Sequence, residues 1–299
     1  MKRVLLTGAT GFIGRHCLPS LSSNGYEVHA VSSKAQPKTS DVSWHQADLL
    51  DSSQVSDLIS SVRPTHLLHL AWDVTPGKYW NSSENFRWVQ AGVHLCQEFA
   101  SHEGRRIVTA GTCAEYDWSY GYCSERRTPL LPTTVYGACK HALQVMTNTF
   151  ADQSGLNAAW GRIFFLYGPH EHPERVVSSV IGSLMRGEPA RCSHGSQIRD
   201  FLYVQDVADA FVALLNSDVS GPINIASGSP IAVKELIYNI AEKLGRRELV
   251  QLGAVPSAPN DPYVLIADAR RLREEVGWRM HYDLDQGLER TIRWWSRHP

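Results

Sequence analysis

The sequence carries almost no net charge. Its 299 residues contain 29 Lys and Arg against 30 Asp and Glu, which gives a formal charge of -1. A chain without surplus positive charge has no overall field that attracts nucleic acid or an anionic membrane. We therefore expect no nucleic-acid partner, and an anionic ligand needs a local site.

Long apolar runs and paired cysteines are also missing. No stretch approaches the roughly 18 consecutive apolar residues of a membrane-spanning helix, and the apolar run near the start is interrupted at Thr7 and Gly8. The six cysteines form neither a C-x-x-C pair nor a cluster with histidines, so no zinc site or disulfide framework is indicated. These absences predict a cytoplasmic protein without membrane contact or bound metal.

What is present is an alternation of strand-like and helix-like segments. Strand-like segments at 3–7, 26–32, 42–46, 65–71 and 106–110 are separated by helix-like stretches at 12–24, 53–61 and 83–102. This alternation is typical of βαβ units and predicts an α/β fold with a doubly wound parallel sheet of the Rossmann type over residues 1–168. Residues 169–299 read as a smaller α+β substrate-binding region, with segments returning to the first domain.

Three glycines follow the first strand, in TGATGFIG. Glycine at this turn lets a dinucleotide pyrophosphate approach the backbone, and the following helix N-terminus meets its charge. A tight turn alone also explains glycine, but the position between strand and helix favours a nucleotide site. The predicted cofactor contacts here are Gly8, Thr10, Gly11, Phe12, Ile13 and Gly14.

The loop after the second strand decides between two dinucleotides. An NAD site usually has an acid there, whereas this chain has Ser32, Ser33 and Lys34, which suit a 2′-phosphate. NADP is therefore favoured, with NAD as the alternative. After the third strand, Asp48 is placed to meet the adenine amino group, beside Leu49. The alternative for Asp48 is a helix cap.

Tyr136 and Lys140 lie four residues apart on a predicted helix, and so share one face. A ketone that receives a hydride must also receive a proton. A phenol with a pKa of about 10 needs a nearby ammonium to act near neutral pH. Thr112, at the end of the strand RIVTAGT, can hydrogen-bond the reacting oxygen beside Tyr136. These three residues are the predicted catalytic group.

The motifs TGATGFIG, ADLLD, HLAW, GTCAEY, YGACK, RIFFLYGP and RDFLYVQDVADA occur in the order seen in extended short-chain dehydrogenases. The chain resembles the NAD-dependent epimerase/dehydratase family of nucleotide-sugar enzymes over almost its whole length. The resemblance implies catalytic roles for Thr112, Tyr136 and Lys140, and a homodimer through the helices at 86–99 and 136–150. It also implies cofactor contacts near the nicotinamide from Leu70, Ala71, Trp72 and Phe164, with Trp72 replacing a small residue and also facing the substrate.

Departures from the family pattern reduce the number of candidate reactions. Dehydratases resembling this chain carry an Asp-Glu pair after the catalytic Thr, where this sequence has Cys113 and Ala114, and Glu115 comes one place late. Without two carboxylates an elimination lacks its proton carriers. We therefore expect no dehydratase activity and expect Glu115 to point elsewhere.

Enzymes that combine 3,5-epimerisation with 4-reduction have a nearby cysteine and a later histidine. Cys113 falls one residue early, and Arg175 stands at the histidine position, with His170 and His172 close by. This reading stays open as a minor alternative, with Cys113 and Arg175 as substrate contacts. A non-catalytic NADP sensor is disfavoured, because such sensors usually lack the Tyr and Lys pair.

Simple 4-ketoreduction and 4-epimerisation remain. An epimerase must rotate its keto-sugar and hold NAD tightly, whereas aromatic bulk at Trp72, Tyr79 and Trp80 suggests a pocket that fixes one sugar face. These residues favour an NADPH-dependent reductase, with a nucleotide-sugar 4-epimerase as the alternative.

One arginine is predicted to bind the nucleotide. Arg199 in RDFLYV matches a family arginine that pairs with the substrate diphosphate, the alternative being a structural pair with Asp200 or Asp206. A second diphosphate arginine commonly precedes the family's late Asp, here Asp268, and VPSAPNDPY contains none. Arg270 or Arg271 could take its place, although both read as helix-face charges. Asp206 itself reads as a helix cap.

Overall fold

The alternating pattern folds as a seven-stranded parallel sheet in a computed structural model that describes residues 2–38, 40–257 and 261–298. The sheet order is β11-β7-β5-β4-β1-β2-β3. The prediction of a doubly wound α/β fold is confirmed. The strands of this sheet are β1 (Arg3–Thr7), β2 (Glu27–Ser32), β3 (Ser43–Gln46), β4 (His66–His69), β5 (Arg106–Thr112), β7 (Asn157–Ile163) and β11 (Gly221–Ile225), and β6 (Tyr122–Cys123) lies outside it.

Helices cover both faces of this sheet because its strands alternate their side chains. Val4 and Leu6 of β1 pack into one apolar core, and Leu5 packs into the other. The first core lies under α1 and α6, and the second lies under α2, α3 and α4. These helices are α1 (Gly14–Ser23), α2 (Ser52–Val62), α3 (Glu84–Ser101), α4 (Val135–Ser154), α5 (Val176–Met185) and α6 (Val204–Asn216), of which α5 belongs to the second region.

The second region is built on a smaller mixed sheet. Its path is β12-β10-β14-β6, with β8 also paired to β10, and β13 pairs with β9. Because α6 and β11 pack on the large sheet, the chain returns to it after Gly168, and we keep the division at Gly168 as a proposal. The remaining elements are β8 (Phe165–Tyr167), β9 (Ala190–Arg191), β10 (Ile198–Tyr203), β12 (Pro230–Ala232), β13 (Val250–Gln251), β14 (Val264–Ala267), α7 (Val233–Leu244), α8 (Arg270–Glu274) and α9 (Leu284–Trp295).

One apolar run forms two strands, and one predicted helix cap differs from the structure. The run at 156–169 divides at Phe164, because β7 ends in the large sheet while β8 turns to pair with β10. Asp51 caps α2 by accepting two backbone N–H groups. Asp206 does not cap a helix; its carboxylate accepts the backbone N–H groups of residues 281 and 282.

Among the described residues, no helix combines the length and apolar character that crossing a membrane requires.

Candidate active site

The glycine turn lies between β1 and α1, and two of its glycines are required by packing. Gly8 has φ +69°, and a Cβ there would lie 2.8 Å from the backbone N of Ala71. A Cβ on Gly14 would collide with the Gly8 carbonyl. Gly11 differs, because it is exposed and its Cβ would meet only the Gly8 carbonyl, at 3.0 Å. The absent side chain at Gly11 therefore keeps the outer face of the turn open.

Backbone donors point outward from this turn. Within the described chain, the N–H groups of Phe12 and Ile13 have no partner, and they lie at the N-terminus of α1. Arg15 braces the turn by donating to the carbonyls of Thr10, at 2.6 Å, and Gly11, at 3.2 Å. Unpartnered N–H groups at a helix N-terminus fit an anionic diphosphate. The turn therefore fits the pyrophosphate of a dinucleotide.

The loop at the carboxyl end of β2 presents its polar side chains differently. The Ser32 hydroxyl accepts hydrogen bonds from the Lys34 backbone and from Gln36, so it shapes the loop. Ser33 and Lys34 are exposed. Lys34 thus offers its ammonium to a ligand at the end of the second strand.

Asp48 lies in the turn before α2, where its carboxylate accepts the Leu50 N–H at 3.0 Å. It does not cap α2, since Asp51 does, so the helix-cap alternative for Asp48 is wrong. Its side chain is exposed and available to a ligand on this edge of the sheet, while Leu49 is half-buried against the core beneath α2.

Thr112, Tyr136 and Lys140 come together at the carboxyl end of β5. The Thr112 side chain lies close enough to the Tyr136 hydroxyl to lower its pKa, and the Lys140 Nζ donates to the Ala110 carbonyl at 2.8 Å. Helix α4 begins here because the Thr134 hydroxyl accepts the Gly137 N–H. The structure thus brings together the three residues predicted from their spacing.

Burial controls the protonation of this group. Burial raises the pKa of Tyr136, and the nearby Thr112 hydroxyl only partly opposes this rise. Burial also lowers the pKa of Lys140 to about 7, against the attraction of Glu115. The sequence chemistry expects the ammonium to lower the pKa of the phenol, but burial dominates in the protein alone. Tyr136 is therefore protonated near neutral pH, which is the form that donates a proton.

Four aromatic side chains surround Tyr136, and we call this set the aromatic box: Trp72, Tyr79, Trp80 and Trp118. The ring centroids of Tyr79, Trp80 and Trp72 lie 4.9, 5.8 and 6.3 Å from that of Tyr136, and Trp118 meets Trp80 edge-on at 6.2 Å. The Trp72 ring also lies 3.9 Å from the Lys140 Nζ. Sequence reasoning missed Trp118, which stands in a loop with no periodic pattern.

Beside the catalytic group lies a buried ion pair that the sequence did not reveal. The Glu115 carboxylate accepts hydrogen bonds from the Thr112 backbone at 2.8 Å, Trp160 at 2.8 Å and Arg162 at 2.7 Å. Glu115 and Arg162 have almost no exposed surface. Because both carboxylate oxygens are engaged in this way, Glu115 points elsewhere as expected and is no proton carrier for an elimination.

Cys113 and Arg175 border the aromatic box from two sides. Burial raises the pKa of the Cys113 thiol, so it stays protonated. The Arg175 guanidinium lies 5.7 Å from the centre of the Tyr79 ring. Of the two histidines noted beside Arg175, His170 contacts Arg15 at the glycine turn and His172 is exposed.

Arg199 is buried, and both terminal nitrogens of its guanidinium are paired. Its guanidinium donates to Asp261 at 2.5 Å and to the Pro262 carbonyl at 2.7 Å. The structural pairing predicted with Asp200 or Asp206 is wrong, because the partner is Asp261. Arg199 can bind a substrate phosphate only by exchanging these partners.

The remaining predicted residues occupy supporting positions. The backbone N–H groups of Leu70 and Ala71 donate to the Thr7 hydroxyl, which fixes the end of β4 beside the glycine turn. Phe164 is buried next to Tyr116, at a centroid distance of 6.3 Å. The two candidate replacements for a second diphosphate arginine form local ion pairs: Arg270 with Asp268 and Arg271 with Glu275.

A parallel sheet with an open glycine turn, and a Thr, Tyr and Lys group at the carboxyl end of its strands, defines an enzyme of the extended short-chain dehydrogenase/reductase type. The sequence model of the NAD-dependent epimerase/dehydratase family matches residues 4–226, and this chain belongs to that family.

Similar proteins within the family catalyse different reactions. UDP-glucuronic acid decarboxylase 1 of Danio rerio is 28% identical over 99% of this chain and 73% of its own length. The dTDP-D-glucose 4,6-dehydratase of Homo sapiens is 27% identical over 99% of this chain and 91% of its own. The crystal structure of Thermus thermophilus UDP-glucose 4-epimerase in complex with NAD superposes with a TM-score of 0.85, at 26% identity, covering 98% of this chain and 99% of the other. The comparisons fix the family and leave the reaction open.

Proposed function

We propose that this chain is an NADPH-dependent 4-ketoreductase of a nucleotide-linked keto-sugar. The observation that carries the proposal is the aromatic box, three of whose ring centroids lie 4.9 to 6.3 Å from that of the protonated Tyr136. Rings held this close restrict the rotation that a keto-sugar needs for epimerisation. They favour delivery of hydride and proton to one face.

The residues of the site fit a bound dinucleotide. The open turn at Gly11 and the N–H groups of Phe12 and Ile13 would hold its pyrophosphate, and Lys140 would contact its nicotinamide ribose. When bound, the reduced cofactor supplies a hydride to the carbonyl carbon of the substrate.

The protein supplies the proton. Thr112 and Tyr136 hydrogen-bond the carbonyl oxygen, and the Tyr136 Oη gives it a proton as the carbon is reduced. The Lys140 ammonium stabilises the phenolate that remains, and a proton from solvent restores Tyr136. The product is the alcohol, so atoms and charge balance over one turnover.

NADPH is proposed over NADH because of the exposed loop after β2. Lys34 and Ser33 offer a cation and a hydroxyl to a 2′-phosphate, and residues 32–38 contain no acid that would repel one. The Thermus thermophilus epimerase named above was crystallised with NAD. The loop of this chain lacks the acid that usually binds the ribose 2′-hydroxyl of NAD, so it does not share the usual basis for preferring NAD.

A nucleotide-sugar 4-epimerase with tightly held NAD is the second candidate. It is supported by the similarity to the Thermus thermophilus epimerase over nearly the whole chain. Both candidates use Thr112, Tyr136 and Lys140 in the same places. They differ in whether the cofactor leaves after each turnover.

The nucleotide end of the substrate is proposed to lie near Arg199, with Arg175 and Cys113 beside the sugar. Binding there requires Arg199 to exchange its partner Asp261 for phosphate oxygens. We also propose a homodimer through α3 and α4, where Phe86, Val145 and Met146 are exposed apolar side chains. A cytoplasmic location is proposed on the six unpaired, buried cysteines.

One experiment separates the two candidates. The pure protein is denatured, and any released dinucleotide is identified by mass and absorbance. A reductase is expected to release little cofactor and to oxidise added NADPH in the presence of a keto-sugar nucleotide. Stoichiometric NAD, with no net NADPH consumption, would establish the epimerase instead.

A further inference from the structure

A buried carboxylate holds the backbone at Thr112, where β5 ends and a short 3-10 helix, Cys113–Glu115, begins. The Glu115 Oε1 accepts the Thr112 N–H at 2.8 Å, and the Thr112 hydroxyl oxygen accepts the Ala114 N–H at 3.2 Å. These reciprocal bonds form a capping box. The box therefore restrains both the backbone and the side-chain rotamer of Thr112.

The capping box leaves the hydroxyl proton of Thr112 available. Because its oxygen accepts from Ala114, the O–H group can still donate to another oxygen. This hydroxyl lies near that of Tyr136, where the carbonyl oxygen of a substrate would be bound. Rotation of Thr112 to another rotamer would break the capping bond and move the hydroxyl out of this position.

Glu115 is itself held by two side chains of β7. The Trp160 indole N–H donates to the same oxygen, Oε1, at 2.8 Å, and the Arg162 Nε donates to Oε2 at 2.7 Å. Glu115 and Arg162 are 0% and 1% exposed. A Cβ at Gly111 would collide with the Trp160 indole and lie 2.7 Å from the Glu115 Oε1. Strands β5 and β7 thus leave room for one carboxylate directly beside the catalytic group.

Stability alone gives little reason for an ion pair in this place. Removing two charges from water costs about as much free energy as their attraction returns, and apolar side chains of similar volume often stabilise a fold better. A carboxylate differs from an apolar side chain because it accepts N–H groups in defined directions. The Glu115 carboxylate uses this property on the backbone of a predicted catalytic residue.

We propose that Glu115 is a positioning residue: through the capping box it holds the Thr112 hydroxyl where it hydrogen-bonds the carbonyl oxygen of the substrate. Trp160 and Arg162 hold Glu115 in turn. The inference rests on the role proposed for Thr112 in carbonyl reduction. It gives the buried carboxylate a part in the reaction that involves no proton transfer.

A double-mutant cycle tests this role, with kcat for the NADPH-dependent reduction of dTDP-4-keto-6-deoxyglucose as the readout. Glu115→Gln is made in the wild type and in Thr112→Val, which removes the hydroxyl at nearly constant shape. In the wild type it should decrease kcat about 10- to 100-fold, as expected for a misplaced catalytic group, while the Kd for NADPH changes less than about twofold. In Thr112→Val it should decrease kcat less than about twofold, because no hydroxyl remains to be positioned.

Two properties of Glu115→Gln need a control. Glu115 also attracts the Lys140 ammonium, so kcat is compared on its low-pH plateau, where that ammonium is protonated in both proteins. The substitution also leaves the buried Arg162 without its charged partner, and thermal unfolding detects any loss of the fold.

Trp160→Phe is the second variant, because it keeps every charge and removes one donor to the Glu115 Oε1. It should decrease kcat about 3- to 10-fold in the wild type, the effect of one hydrogen bond, and leave kcat nearly unchanged in Thr112→Val. If Glu115→Gln does not fold, this variant alone completes the cycle.

Glu171→Gln and Trp278→Phe are the matched controls. Glu171 is a buried carboxyl in the loop before α5, and Trp278 is a buried indole whose N–H has no partner among the described residues. Both should leave kcat nearly unchanged. An equal loss of kcat with and without the Thr112 hydroxyl, or no loss in the wild type, would overturn the inference.

Failure of the proposed function would look different. If the wild type reduces neither dTDP- nor UDP-4-keto-6-deoxyglucose with NADPH, the proposed reductase is wrong and this inference falls with it. If the wild type reduces the keto-sugar and the two substitutions act independently, the proposed function stands and only the role of Glu115 is refuted.

Discussion

The cofactor half and the substrate half of the site differ in the chemical groups that they present. The cofactor half, at the glycine turn and the loop 32–34, presents backbone N–H groups and exposed polar side chains. The substrate half presents aromatic rings, and the indole N–H groups of Trp72 and Trp118 are bonded within the protein. The first half fits a ligand that the family shares. We therefore expect the second half to determine the choice of substrate. Substitutions in each half should affect cofactor binding and substrate turnover separately.

The largest effect is expected where the halves meet, at Tyr136→Phe. Removing the hydroxyl removes the proton donor, so kcat should decrease by about 10²- to 10⁴-fold. Cofactor affinity should change less than about twofold, because the ring and its packing remain. Tyr79→Phe is the matched control, since it removes the hydroxyl of a ring packed against Tyr136 and should cost far less in kcat. Undiminished turnover of Tyr136→Phe would disprove the mechanism.

Gly11→Ala tests the cofactor half alone. A Cβ at Gly11 would fit with a small shift near the Gly8 carbonyl, but it would stand on the face that receives the pyrophosphate. We expect dinucleotide affinity to decrease about tenfold while the melting temperature stays nearly constant. Gly14→Ala is the contrasting variant, because its Cβ would collide with the same carbonyl inside the turn and should destabilise the fold. Unchanged affinity for Gly11→Ala would place the pyrophosphate elsewhere.

Lys34→Ala tests the choice of dinucleotide. Loss of a charge-assisted contact to the 2′-phosphate should raise the KM for NADPH about tenfold and leave the KM for NADH unchanged. Steady-state kinetics with both cofactors measures this, with Lys38→Ala as a control a few residues further along the same loop. An equal change in the KM for both cofactors would show that Lys34 does not bind the 2′-phosphate.

The smallest kinetic effect is expected at Glu171, a buried carboxyl in the loop before α5. Burial raises its pKa to about 8 from an ordinary value near 4.5. Its protonated state therefore favours the fold fully below pH 4.5, and that stability is lost as the pH rises through 8.

Glu171→Gln should keep the acceptor for the Ser178 N–H and remove this pH dependence. The variant should match the wild type near pH 4.5 and exceed its unfolding free energy by about 1 to 4 kcal/mol at pH 9, as measured by urea denaturation. kcat/KM should stay within about twofold. A variant that is less stable at pH 9 would show that Glu171 is held ionised.

The sequence indicated where the glycine turn and the catalytic group lie, because their spacing is local. Gly8, Gly11 and Gly14 fall within one turn, and Tyr136 and Lys140 are one helical turn apart, so each set lies together in the fold. The bounds of β1 were also predicted from the apolar pattern.

The substrate half depends on pairs that are distant along the chain, which no local pattern records. Glu115 meets Arg162 across the interior, and Arg199 pairs with Asp261 rather than with the neighbouring acids. Asp206 also has partners that are distant along the chain, the backbone N–H groups of residues 281 and 282. Trp118 joins the aromatic box from a loop. Tertiary contacts determine the side-chain partners at these four positions.

The central claim is that Tyr136 and a bound NADPH together reduce a nucleotide-linked keto-sugar. The most direct measurement uses NADPH carrying deuterium at the transferable position of the nicotinamide, with dTDP-4-keto-6-deoxyglucose as substrate and mass spectrometry of the sugar product. We expect one deuterium on the new carbinol carbon for each NADPH oxidised, with the transfer nearly abolished in Tyr136→Phe. A product formed without deuterium and without net oxidation of NADPH would contradict it.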